Sequence, residues 1–276
     1  TDGVITIEIV EAKFGGVVFD PEQKKNLQRV TPEVLEQFVS AGQALGTSIH
    51  AANLDRQLLI TDDLPGVAIQ GSLVEGEKDG ETQVLIKAED KPFYMGDVSL
   101  DNQGSRSTGT FRKNASLNLQ SPSGFGDLVN LSALSTEGST YGRIAYSLPV
   151  GYDGWRIGVN ASYMRYKLIT EETQSTKPRG DSKVVGLDVQ YPLIRSQVAN
   201  LYINGALDTK YFKNEFLGTA GYETSSDYQL HVLSAGLSGN QYDDWIGGGL
   251  TSASVNLGIG KVDLSGSTST NRANDA

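Results

Sequence analysis

Beyond residue 93 the chain repeats a period of two in segment after segment, and this limits what it can fold into more than any other feature. Ala115, Leu117 and Leu119 alternate with Ser116, Asn118 and Gln120, and Val129, Leu131 and Ala133 with Asn130 and Ser132. Ile144, Tyr146 and Leu148 alternate with Arg143, Ala145 and Ser147, and Trp155, Ile157, Val159, Ala161 and Tyr163 with Arg156, Gly158, Asn160 and Ser162. Val185, Leu187, Val189 and Tyr191 face Gly186, Asp188 and Gln190; Leu201, Ile203, Leu207 and Tyr211 face Asn200, Asn204, Asp208 and Lys210. Tyr228, Leu230 and Val232 oppose Asp227, Gln229 and His231, with a slip of register expected near Leu233, and Ala253, Val255, Leu257 and Ile259 oppose Ser252, Ser254, Asn256 and Gly258. Successive side chains of a strand point to opposite faces, so each segment reads as a strand with one apolar and one polar side. With residues 94–102 included, the count is about nine strands, and no helical period competes with them.

Strands of about 9 to 13 residues are long for a soluble sheet, where five to six is the mean, and match what a tilted strand needs to cross a bilayer. No apolar run approaches the ~20 residues of a membrane helix, and mean hydropathy is −0.28. Barrel strands hide their hydrophobicity from such averages, because only every second residue faces lipid. The connections at 121–126, 149–154 and 192–198 read as short, those at 170–181 and 213–225 as long, and the two kinds alternate. Outer-membrane barrels pair short periplasmic turns with long external loops in this way. Trp155, Tyr163, Tyr191, Tyr211 and Tyr228 then fall near strand ends, as an aromatic girdle requires, and Arg143, Arg156, Asn160 and Asp188 become candidates for lining a pore. On pattern alone, a large soluble β-sandwich or solenoid, with those polar residues merely hydrated or paired, stays open.

In front of this region lies a different pattern. Residues 3–11 read as a lone strand, the remnant of a preceding unit, and residues 13–91 read as strand, helix, helix, strand, strand. Thr31 is placed as an N-cap with Pro32 at the first helical position, Val34, Leu35, Phe38 and Val39 share one face, and Gly42 stops the helix. A second helical stripe over residues 49–64 carries Leu54 and Leu58 and is broken by Leu64-Pro65-Gly66. Residues 67–74 and 83–88 are expected as strands joined through the polar segment 75–81.

Composition narrows the chemistry. A net charge of −10 argues against nucleic acid, since phosphate neutralisation needs clustered cations. There is no cysteine, hence no disulfide or thiolate site. His50 and His231 lack metal-ligand spacing, residues 71–81 hold glycines and a lysine but no phosphate loop, and the pairs Asp62-Asp63 and Asp243-Asp244 read as chance in an acidic chain. No cofactor, metal or catalytic residue is expected. Thr1-Asp2-Gly3 does not resemble a signal peptide, and the chain is expected to be a piece of a longer one at both ends.

Specific residues then carry a resemblance. Residues 98–109, Val-Ser-Leu-Asp-Asn-Gln-Gly-Ser-Arg-Ser-Thr-Gly, closely resemble the first barrel hairpin of two-partner secretion transporters, the hemolysin and adhesin secretion/activation family within the Omp85 group. Ser123-Gly124-Phe125-Gly126-Asp127 resembles their next turn, and Gly236-Leu237-Ser238-Gly239 with Gly247-Gly248-Gly249 a later one. The two-helix unit is similar to their POTRA domain. The resemblance implies a mainly β fold: residues 1–12 ending one POTRA domain, 13–91 forming another, and 92–276 supplying about nine of the sixteen strands of a transmembrane antiparallel barrel, without the Arg-containing tip of the inward loop. It further implies a monomer in the outer membrane, with its POTRA domain in the periplasm, that secretes an exoprotein client of hemolysin or adhesin type without nucleotide hydrolysis. Capture by β-augmentation would use the edge Val67, Ile69, Gly71 and Leu73 beside Leu54 and Leu58; the ordinary alternative is that these are core residues of a small α/β domain. A barrel-assembly factor of the same superfamily is the second reading, and a soluble β-rich binding protein the third, which predicts a chain that stays soluble without detergent.

Overall fold

The structure is a computed structural model and describes residues 11–21, 26–244 and 247–267. The strand expected over residues 3–11 falls, apart from Glu11, outside them. The small unit has the expected order: β1 (Lys13–Phe19), α1 (Pro32–Ser40), α2 (Ala51–Asp62), β2 (Val67–Glu75) and β3 (Glu81–Asp90). Thr31 does hold the extended N-cap position, and its carbonyl accepts from the Val34 and Leu35 amides, but its hydroxyl makes no capping bond. The three strands form one sheet in the order β1-β3-β2, with β1 parallel and β2 antiparallel to β3. Both helices press an apolar face onto it, and Phe14, Leu35, Phe38, Val39, Val67 and Ile86 are buried completely or nearly so. Each such side chain contributes about 1.5 to 3 kcal/mol on burial, and together they form the core of the small unit.

Nine strands follow in one antiparallel sheet, each beside its sequence neighbour: β4 (Tyr94–Asp101), β5 (Arg112–Gln120), β6 (Leu128–Ser135), β7 (Ser139–Val150), β8 (Trp155–Lys167), β9 (Arg179–Arg195), β10 (Ala199–Gly218), β11 (Gly221–Asp243) and β12 (Gly249–Asp263). The registers line the apolar parity up across the whole sheet. Leu117 lies opposite Leu131, Leu131 opposite Ile144, Val159 opposite Leu187, Leu187 opposite Leu207, Leu207 opposite Leu233 and Leu233 opposite Ile259. Along β11 the residues on this parity are exposed and the intervening ones half-buried, so the apolar face is the convex one and the polar face the concave one. The edge strands β4 and β12 are not paired with each other, and the described residues form an open, curved sheet.

Several expectations change. Residues 213–225 are not a loop: β10 and β11 run on as a hairpin that turns through residues 219–220, with one irregularity between Asn214 and Glu215. No register slip occurs near Leu233, because the β10–β11 ladder is continuous from Ala199 opposite Gln241 to Asn214 opposite Ser226. Tyr228 therefore sits on the concave parity, stacked on Phe212 at 5.0 Å, and does not join the other aromatics. Above Leu233 both faces of the hairpin leave the apolar band, so burial no longer dictates which parity is apolar. Gly236 to Gly239 lie within β11 rather than in a turn, and only Gly247 and Gly248 belong to the connection.

The turns at 121–127, 151–154 and 196–198 share one end of the sheet, and the small unit is docked there. Phe38 meets Tyr152 edge-on at 5.2 Å, Ser121 donates to the Arg29 carbonyl at 2.9 Å, and the Gly66 amide donates to Gln120 at 3.0 Å. Gly126, at φ +73, lets Leu64 approach so closely that a Cβ would stand 2.8 Å from it. Two ion pairs fix α2, one at its middle and one at its C-terminal end. Arg56 reaches Asp153 at 2.6 Å and also donates to Tyr191 and the Pro192 carbonyl, while Arg195 grips both oxygens of Asp63 at 2.7 and 2.8 Å. Half-exposed ion pairs are worth little individually, so the apolar contacts carry the attachment and the charges set its angle.

Replacing Arg56 and Arg195 together by alanine is expected to shift the docking equilibrium on the order of tenfold toward the undocked state, with strand content unchanged. Broadened distances between spin labels on α2 and on β8 would show this. Burial pushes the Asp153 carboxyl up, but hydrogen bonds from Tyr191 and Arg56 outweigh it and hold the group below its ordinary value. A depressed carboxyl stabilises above the unfolded value and loses that contribution as pH falls through the folded one. The same label distances should therefore be constant from neutrality to about pH 4 and broaden only below it.

Candidate functional site

The three-stranded sheet has two edges, and the structure treats them differently. The outer side of β1 is covered by residues 46–49: the Phe14 amide donates to the Thr47 carbonyl, Gly46 donates to the Phe14 carbonyl, and Ile49 donates to Ala12. Beside β2 no other strand is paired among the described residues. Antiparallel pairing alternates residues whose main chain faces the partner with residues whose main chain faces away. The Lys91 amide bonds the Gly66 carbonyl, and the Gly76 amide bonds Glu81, so the even-numbered residues of β2 serve β3. The main-chain groups of Val67, Ile69, Gly71, Leu73 and Glu75 point outward.

The candidate binding residues divide accordingly. The side chains of Val67, Ile69 and Leu54 are buried in the core, so these three offer no side-chain surface to a partner. Leu58 packs against the edge of that core and lies directly over Gly71, where a Cβ would be 2.6 Å from its methyl groups. Leu73 projects beyond the helix and is 59% exposed. The edge thus presents main chain, an apolar step of Leu58 and Leu73, and acidic neighbours: Asp55 is on the same helix face as Leu58, and Glu75 ends the strand.

Sequence reasoning missed Asp62. Its carboxylate accepts the Ile69 amide at 2.9 Å, while the adjacent Asp63 holds Arg195. The pair that reads as chance therefore has two separate duties, and nothing in its local spacing reveals the long-range partner.

Arg143, Arg156, Asn160 and Asp188 share the concave parity, since Ala145 lies opposite Asn160 and Gly158 opposite Asp188. Arg143 and Asp188 are exposed there. Arg156 is half-buried and committed: it donates to the Gly126 carbonyl at 3.2 Å and to Ser147 at 3.2 Å, bracing the turn on which the small unit rests. The glycines opposite make room for their neighbours, with the Asp188 carboxylate over Gly158 and Asn160 over Gly186. Cross-strand polar pairs such as Asn118–Asn130 and Asn204–Ser238 continue the wet face. Where small unit and sheet meet, a cavity of about 240 Å³ opens between Phe38, Ile60, Leu64, Trp155, Arg156 and Tyr202. Among the described residues no three His, Cys, Asp or Glu side chains gather as metal ligands.

With this geometry in view, comparisons place the chain. A family model described as haemolysin secretion/activation protein ShlB/FhaC/HecB matches residues 80–272. The heme/hemopexin transporter protein HuxB of Haemophilus influenzae is 34% identical over 145 residues, which cover 52% of this chain and 26% of that protein. The outer membrane transporter CdiB of Dickeya dadantii is 22% identical over 280 residues, covering 99% of this chain and 47% of its own length. Among solved structures, CdiB from Escherichia coli superposes with a TM-score of 0.69 at 19% identity, covering 91% of this chain and 46% of that one. BamA from Haemophilus ducreyi reaches 0.51 at 10% identity, a likeness of fold alone. The chain thus spans between about a quarter and half of these relatives. A match over more than two thirds of the residues, on a sheet with this continuous apolar convex face, settles the affiliation: the chain belongs to the ShlB/FhaC/HecB family of haemolysin secretion/activation proteins.

Proposed function

We propose that the chain is part of an outer-membrane transporter that captures an exoprotein in the periplasm and passes it through its barrel to the surface. In this reading residues 13–91 are a POTRA domain, and the strands from β4 onward are part of a sixteen-stranded barrel whose convex apolar band faces lipid. Arg143, Asn160 and Asp188 face the passage, with Arg156 bracing its periplasmic mouth. The relatives named as transporters of hemolysin and of heme/hemopexin support the class of client, a secreted protein.

The observation that carries this proposal is that β2, among the described residues, is the uncovered edge of the small sheet, held at a fixed angle beside the large sheet's short-turn end, while the small sheet's other edge is covered. An exposed edge is a template for another chain and an aggregation hazard that proteins normally blunt, so leaving it open beside a wide concave polar face calls for a use. An extended client segment adding to β2 gains main-chain hydrogen bonds that are indifferent to sequence, and the Leu58–Leu73 step adds selectivity.

The Leu73 amide points away from β3, so Leu73→Pro removes an outward donor without touching the ladder that holds β2. Export of the transporter's exoprotein client is expected to fall at least tenfold, while the amount of transporter recovered in the outer membrane stays unchanged. Undiminished export by a correctly inserted variant would overturn the edge as the docking site.

A further inference from the structure

The outward side of β2 carries a row of main-chain groups at Val67, Ile69, Gly71, Leu73 and Glu75, and one donor in that row is already occupied. The Ile69 amide is bonded by Asp62 Oδ1 at 2.9 Å. Asp62 is the last residue of α2, so its carboxylate reaches from the helix end to the strand as a client carbonyl would. Resting on the reading of β2 as the docking edge, we infer that Asp62 is a built-in stop that sets the register of the incoming strand. The client pairs with the outer half of β2, from Gly71 through Leu73 to Glu75, and is denied the inner half.

Three features support this division. First, the inner half is where Val67 and Ile69 are sealed under α2, so a strand added there would find no free side chain to recognise, whereas Leu73 and Leu58 lie beside the outer half. Second, a slip of one residue turns every side chain of a strand to the opposite face. A strand added to an unmarked edge has many registers of similar energy, and a fixed acceptor at one end removes those that extend past it. Third, acidic groups outnumber basic ones along the edge: Asp55 on the helix face bearing Leu58, Asp62 at the helix end, and Glu75, Glu77 and Asp79 where the strand runs out, against Lys78, which pairs with Glu81, and Lys91, whose ammonium donates to the Asp62 carbonyl at 3.5 Å. The occupant this selects is an extended segment with an apolar residue on its helix-facing side and lysine or arginine at the flanks. An acidic or uniformly polar strand lacks both complements.

The test uses the full-length transporter in detergent and the synthetic strand peptide Lys-Val-Thr-Val-Thr-Val-Lys, read by amide exchange along β2 and by peptide titration. In the wild type the peptide should protect the Gly71 and Leu73 amides and leave Ile69, already bonded, unchanged. In Asp62→Ala the Ile69 amide should exchange faster without peptide, become protected with it, and the peptide should bind about three- to tenfold tighter through the added pairing. Asp62→Asn retains an acceptor and should behave as wild type, which separates the loss of the stop from damage to the helix end. Protection of Gly71 and Leu73 with no tightening and no extension to Ile69 in Asp62→Ala would overturn the stop while leaving β2 as the docking edge. Protection of no β2 amide in any variant would overturn both.

Discussion

Inside a bilayer no water is at hand to satisfy main-chain N–H and C=O groups, so each must find a partner in the neighbouring strand. That ladder is the constraint on which the rest of this molecule depends. It forces consecutive strands side by side in strict antiparallel register from β4 to β12. Because the register is continuous, the apolar residues of the strands fall mainly on one face and the Asn, Ser, Arg and Asp residues mainly on the other, the far part of the β10–β11 hairpin excepted. One apolar surface, the lipid-facing band of the proposed function, and one wet surface follow from the same pairing.

The opposite rule governs the small domain. There an unpaired main-chain edge is tolerated in water, and its exposure is controlled piece by piece: residues 46–49 cover β1, Asp62 caps the first part of β2, and no other described strand pairs with the remainder. The docking contacts convert this local feature into a directional one. Arg56 lies midway along α2 and Asp63 just past its C-terminus, and their partners are Asp153 in the turn before β8 and Arg195 at the end of β9. The helix therefore cannot pivot about a single contact, and the edge beside it keeps one orientation to the concave face. In the proposed function, sequence-independent pairing at an edge and a polar concave face suit a cargo that arrives extended.

Much of this was legible in the residues because the two strongest signals are local. Period-two alternation marks strands wherever one face is dry, and the α1 stripe with Thr31 and Pro32 marks a helix start without help from the rest of the fold. The failures came where burial stops imposing a pattern. The long β10–β11 hairpin rises beyond the apolar band, so residues 213–225 look like a polar loop, and Tyr228 looks like a girdle residue although it stacks on Phe212 on the concave side. The candidate edge was legible as a strand, but which of its side chains were free was not: Val67, Ile69 and Leu54 vanish under the helices, while Asp62 and Asp63 gain their meaning from partners that only the fold brings near.

The central claim is that an exoprotein in transit lies against the outer half of β2, and site-specific photocrosslinking in cells that make the exoprotein client tests it most directly. A photoreactive residue in place of Leu73 should yield a crosslink to the exoprotein, whereas the same group in place of Lys87, exposed on the central strand of that small sheet, should not. No crosslink at the Leu73 position during active export, or equal yields from both, would contradict the account.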